Sequence, residues 1–133
     1  MKPVFGDSLY FLALANPRDQ HHQRAVDFAR NYGGIVVTTR WVLAEVCDGL
    51  ADPLNRQFAE HLVDRIATAG HLRAVQDSDE LFERGFELYR QRVDKDWSLT
   101  DCISFVAMAD ESLTDALTAD HHFAQAGFTV LLA

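Results

Sequence analysis

Apolar positions along this chain alternate between two periods, short strand-like runs and longer helical stretches. Val4-Phe5 is a strand candidate stopped by Gly6, and residues 9–15 are apolar on every side, as in a short helix buried all round. Asn16-Pro17 ends that helix, because the residue before a proline is pushed out of the helical region. Residues 19–32 form an amphipathic helix with Ala25, Val26, Phe28 and Ala29 inward and Arg18, Arg24 and Arg30 facing water; Gly33-Gly34 terminates it. Ile35-Val36-Val37-Thr38 is a β-branched strand, and Thr39 is placed to cap a helix over 40–50 whose centre is apolar except for Glu45. After Asp52-Pro53 another helix reaches 69, with Phe58, Leu62, Val63 and Ile66 on one face. Leu72-Arg73-Ala74-Val75 is a third strand, and Asp77 with Glu80 predicts a capping box for a helix carrying Leu81, Phe82, Phe86, Tyr89 and Val93. Residues 101–109 are again apolar nearly all round, 116–118 give a fourth strand, 120–126 a short helix and 128–132 a last strand.

Strands alternating with helices predict an α/β fold: a central, mostly parallel sheet of about five strands with helices on both faces. A chain of 133 residues, 48% hydrophobic, can build one ordinary core, so residues 1–133 are read as a single domain. In open parallel sheets, ligands bind outside the carboxyl ends of the strands. Four acids, Asp7, Glu45, Asp101 and Asp120, follow a strand end directly or sit in the first two turns of a helix at that edge.

Charge narrows what such an edge can bind. The formal net charge of −8 opposes general affinity for nucleic acid, so any such role must be local or metal-mediated. Ten of the twelve basic residues are Arg, suited to bidentate contacts with phosphate or carboxylate, although a solvated surface explains most of them. Cys47 and Cys102 lie inside apolar helical runs, as small buried thiols do, and a reduced, cytoplasmic protein is expected. The apolar run 9–15 is at the short limit for a secretory segment and Asp7 interrupts its approach; no stretch nears the ~18 apolar residues that span a bilayer.

Each acid has an ordinary explanation. Ser98 and Asp101 make a capping box, and Asp7 and Asp120 could cap the helices that follow them. Glu45, among Val42, Leu43, Ala44, Val46 and Cys47, resists this, because an unpaired buried carboxylate is costly. Together the four would repel one another by about 3 kcal/mol per pair at ~5 Å and an effective dielectric near ~20. A divalent cation removes that penalty, and oxygen ligands favour Mg²⁺ or Mn²⁺ over Zn²⁺. The pairs His21-His22 and His121-His122 lack a zinc spacing with the cysteines; His121 or His122 could instead touch a phosphate near Asp120.

At these positions the chain resembles the PIN-domain nucleases, most closely the VapC-type ribonuclease toxins of type II toxin–antitoxin pairs, over essentially its whole length. Asp7-Ser8 resembles the family's opening acid followed by Thr or Ser, although Leu9 follows where many members carry a small or polar residue. Glu45 falls where the second acid is expected, Ser98-Leu99-Thr100-Asp101-Cys102 resembles the third motif, and Leu117-Thr118-Ala119-Asp120-His121-His122-Phe123 the fourth. The resemblance implies five parallel strands in the order 3-2-1-4-5 and an endoribonuclease acting on single-stranded or loop RNA. Asp7, Glu45, Asp101 and Asp120 would hold Mg²⁺ or Mn²⁺, with Ser8, Ser98 or Thr100 orienting them. Arg40, near a strand end, is a candidate phosphate contact. Cleavage would leave a 5′-phosphate and a 3′-hydroxyl, a cognate antitoxin would inhibit by placing Arg in the acidic pocket, and the protein would be a homodimer.

Two other readings use the same acidic edge. A phospho-receiver domain also gathers acids at strand ends, but it wants a Lys after its last strand, and the only lysines are Lys2 and Lys95. A non-catalytic interaction module would use the carboxylates as caps or as acceptors for a partner's Arg.

Overall fold

The computed structural model describes residues 1–133. Its frame is five short strands, β1 (Val4–Gly6), β2 (Val36–Thr38), β3 (Leu72–Ala74), β4 (Asp115–Leu117) and β5 (Thr129–Val130). All pairings are parallel and the spatial order is β3-β2-β1-β4-β5. Every residue of β1 and β2 is buried, as it must be when both faces of a parallel sheet are covered. The order excludes the receiver reading, whose sheet runs 2-1-3-4-5.

Seven helices cover the sheet: α1 (Ser8–Ala15), α2 (His22–Asn31), α3 (Arg40–Gly49), α4 (Arg56–Thr68), α5 (Asp79–Gln91), α6 (Leu99–Asp110) and α7 (His121–Gln125). The main core joins Phe5, Phe11, Val37, Val42, Val46, Phe105, Met108, Leu117 and Phe123, and a smaller cluster of Leu81, Ile103 and Ala107 seals α5 to α6. No helix is long and apolar enough to cross a membrane. Both cysteines are free, with Cys102 buried.

Three details depart from the periodicity. Helix α5 is capped by Ser78, whose hydroxyl accepts from the Leu81 N–H, and not by Asp77. On α4 the buried positions are Ala59 and Leu62, while Val63 is 42% exposed. On α5 the buried positions are Leu81 and Gly85; Phe86 and Tyr89 are exposed, as is Val93 just past the helix end. A small residue lies inward here because the helices cross closely: a Cβ on Gly85 would sit 2.4 Å from Ile103 Cγ1 and 3.0 Å from Ile103 Cα. That close approach rotates the larger aromatic side chains of α5 to its flank.

Candidate metal centre

The central strand places the first acid. β1 delivers Asp7 to its carboxyl end, where the Asp7 N–H bonds to Leu117 O at 3.3 Å and the side chain is 4% exposed. Asp7 stands at the N-cap position of α1 but makes no capping bond through its side chain. Its Oδ2 accepts instead from Thr118 Oγ1 at 2.8 Å, across the β1–β4 pair. Burial pushes the Asp7 carboxyl up to about 7; the Thr118 hydroxyl works against that rise, and the charges of Asp101 and Glu45 add to it.

Helix α3 supplies Glu45. It is half-buried, not enclosed as its apolar sequence neighbours suggested, because its face of α3 opens onto the acidic cleft. Ser8 Oγ donates a short hydrogen bond to Glu45 Oε1, which ties the first turn of α1 to α3. Helix α6 supplies Asp101. The capping box is real: Ser98 Oγ accepts from the Asp101 N–H at 3.0 Å, and Asp101 Oδ2 accepts from the Ser98 N–H at 3.1 Å. His122 Nδ1 lies 3.0 Å from the same Oδ2, so these bonds fall on one oxygen and leave Oδ1 for another ligand. Burial raises the Asp101 pKa, the Ser98 N–H lowers it, the Asp120 charge raises it further, and His122 again lowers it. Asp120 follows β4 and caps α7 through the His122 N–H at 2.9 Å, while its own N–H bonds to Thr118 Oγ1 at 3.1 Å.

These groups share one open cleft of about 580 Å³, lined by Asp7, Ser8, Glu45, Ser98, Asp101, Asp120 and His122 together with Leu9, Leu12, Asp19 and Asp96. Successive helix positions separate the two histidines: the His121 side chain is 76% exposed, while that of His122 is 19% exposed and turned between Asp101 and Asp120. One ligand atom from each of Asp120, His121 and His122 falls within 4.8 Å of the others. Thr100 precedes Asp101 by about 100° of helix rotation, Arg40 is exposed on the first turn of α3, and neither lines the cleft.

Sequence reasoning missed three contributors. Thr118 is fully buried and bridges Asp7 to the Asp120 backbone; its signal was a Thr two residues before an acid at a strand end. Asp96 reaches the cleft from the loop before α6, and Asp19 from the turn before α2, which starts at His22 and not at residue 19 as the periodicity predicts. The donor set fits a hard divalent cation: carboxylate oxygens dominate, and the least exposed of them is strained toward its neutral form by burial.

Comparison with known proteins agrees with this architecture. The PIN domain family model matches residues 4–129. The chain is 25% identical over 126 residues to the 23S rRNA-specific endonuclease VapC20 of Mycobacterium tuberculosis, covering 94% of this chain and 95% of that protein. The crystal structure of VapC20, a sarcin-ricin loop cleaving toxin, superposes with a TM-score of 0.85 at 24% identity over 95% of this chain and 96% of that one. Two more distant structures share the fold, each over 96% of both chains. FitAcB from Neisseria gonorrhoeae has a TM-score of 0.63 at 18% identity, and VapBC2 from Rickettsia felis, bound to a promoter DNA fragment, 0.65 at 13%. Acids delivered by β1, α3, α6 and the β4–α7 turn to one sheet edge, on a chain matched nearly end to end, give a plain conclusion: it belongs to the PIN domain family.

Proposed function

We propose that this protein is a metal-dependent endoribonuclease, the toxin of a toxin–antitoxin pair, acting on single-stranded or loop RNA in the cytoplasm. The observation that carries the reading is the convergence of Asp7, Glu45, Asp101 and Asp120 on one cleft, with Asp7 buried beside the charges of two others. Similarity to an rRNA endonuclease over almost the whole chain supports the RNA substrate, and the toxin–antitoxin likeness supports an antitoxin partner.

In this reading the four carboxylates hold one or more Mg²⁺ or Mn²⁺ ions. When bound, the ion supplies Lewis acidity, lowering the pKa of water and stabilising charge at phosphorus during in-line displacement. The chain does the rest. Thr118 holds one Asp7 oxygen and Ser8 one Glu45 oxygen, which fixes both carboxylates at the cleft. Ser98 fixes both the start of α6 and the Asp101 rotamer. His122 sits at the rim between Asp101 and Asp120, placed to meet a phosphate oxygen; Arg40 and His121, both exposed, are contacts only for RNA extending beyond the cleft. An antitoxin Arg would satisfy the same carboxylates by charge-assisted hydrogen bonds and so exclude the cation. Two copies of the chain form the active species.

The test is Asp101→Asn, which keeps an acceptor for the Ser98 N–H and so spares the cap. Metal-dependent RNA cleavage should fall by about a hundredfold or more, since loss of an outer partner alone costs ~10–100-fold, with circular dichroism unchanged. Undiminished cleavage by this variant rejects the site. Sequencing the 5′ ends of RNAs cut when the protein is expressed alone identifies the target.

A further inference from the structure

Of the twelve basic side chains, all but Arg18, Arg30, Arg40 and Lys95 are bound by a carboxylate, a carbonyl or a histidine of the chain itself. The unbound ones are not scattered evenly. Arg40 opens α3 at the carboxyl edge of the sheet. Arg18 and Lys95 each stand immediately before an acid that lines the cleft, Asp19 and Asp96, and neither pairs with that acid. Arg30 alone lies away from the cleft, in the last turn of α2 and about 12 Å along the helix axis from His22.

Arg18 and Lys95 belong to different walls. One wall is α1 and α3, joined by the Ser8–Glu45 bond, and Arg18 is in the turn that leaves α1. The other is α6 and α7, joined by Asp101 and His122, and Lys95 is in the loop that enters α6. Both segments are pinned. The Arg18 N–H donates to Asn16 Oδ1 at 3.1 Å, Asp19 Oδ1 accepts from the His21 N–H at 2.8 Å, and His22 Nδ1 lies 2.7 Å from Ala13 O. In the other loop Arg92 takes both oxygens of Asp94, at 3.0 and 3.1 Å, and its guanidinium lies 4.8 Å from the centroid of the Trp97 ring. Trp97 Nε1 donates in turn to Gln125 Oε1 of α7 at 3.0 Å. Asp94 is thereby taken up by Arg92, and Lys95 keeps its charge free.

A chain of net charge −8 needs local positive charge to hold a strand of phosphates, and fixed segments beside the cleft are where such charge acts on a strand crossing it. We propose that Arg18 and Lys95 are the phosphate contacts that lay the RNA strand across the cleft, Arg18 on one side of the bond that is cut and Lys95 on the other. The assignment rests on the endoribonuclease reading above and adds the path of the strand.

Steady-state cleavage tests it, on a fluorophore-labelled oligoribonucleotide containing the site mapped by 5′-end sequencing. Arg18→Gln and Lys95→Gln should each raise KM about fivefold, with kcat and the calorimetric affinity for Mn²⁺ unchanged. Each should also flatten the dependence of log KM on log salt by about 0.7, the share of one phosphate contact on a single strand. Arg18→Lys, which keeps the charge, should retain the wild-type slope, and Arg30→Gln, which removes a remote charge, should change nothing. Wild-type KM and slope in both glutamine variants would overturn the proposal and leave the nuclease reading intact, whereas a wild type that cuts no RNA with either metal would overturn that reading itself. An equal effect of Arg30→Gln would mean that net charge and not position is felt, and would overturn the proposal. A fall in kcat together with weaker Mn²⁺ binding would assign these residues to the metal centre and overturn it as well.

Discussion

Asp7 sets the energetics of the cleft. Its carboxyl titrates near 7 when folded and near 3.8 when unfolded, so between those values the native state holds a proton that the unfolded chain has released. Without metal, the contribution of Asp7 is therefore fully favourable below about pH 4 and is lost as the pH rises through about 7. The loss is of the order of a few kcal/mol at ~1.4 per unit. A cation reverses the preference, so the rise in melting temperature on adding Mg²⁺ or Mn²⁺ should be larger at pH 8 than at pH 5.5. Asp7→Asn should raise the metal-free melting temperature at pH 8 and abolish the metal response; equal metal responses at both pH values would contradict this account. Thr118→Val tests the support of that carboxylate. It removes the donor to Asp7 and the acceptor for the Asp120 N–H, and calorimetry should record metal binding weakened by about 10–100-fold. At this scale the sequence was uneven. Glu45 could be singled out because its immediate neighbours on α3 are apolar, and Ser98 with Asp101 because a capping box has fixed spacing. Thr118 reads as one more β-branched strand residue until the β1–β4 register puts it beside Asp7, and Asp96 depends on a loop path that no local period encodes.

Among the elements, α5 and α6 show how packing overrides pattern. Gly85 lets the helices meet where a Cβ would strike the Ile103 backbone and side chain. Gly85→Ala should therefore destabilise the protein by about 1–3 kcal/mol despite the better helix propensity of alanine, and urea unfolding would measure it. A stabilised variant would mean that the crossing can open without cost. The strand–helix alternation of the sequence was enough to locate every strand to within a residue or two, because β-branched runs and glycine stops act locally. The inward face of α5 was not legible. Periodicity counts large apolar residues, and here the small one is inside while the aromatic ones are displaced to the flank. The cap of α5 moved by one residue: Ser78 has the extended backbone and its hydroxyl accepts from the Leu81 N–H.

The whole molecule is acidic, with a net charge of −8, and this constrains how it can hold RNA. Retention should depend on the cation, so filter binding that persists in excess chelator would count against a metal-mediated contact. With few basic contacts to phosphate, the dependence of affinity on salt should also be shallow, with a log–log slope no steeper than about −2 for up to three such contacts at ~0.7 each. The topology has a further consequence. β1 lies in the middle of the sheet with a parallel neighbour on each side, and Asp7 is the residue it delivers. Asp7 thus directly follows the most protected strand, where amide exchange should proceed only by global opening. Fraying at the ends of the chain therefore leaves Asp7 in place. Under the function proposed above, inhibition then has to come from a molecule that occupies the cleft.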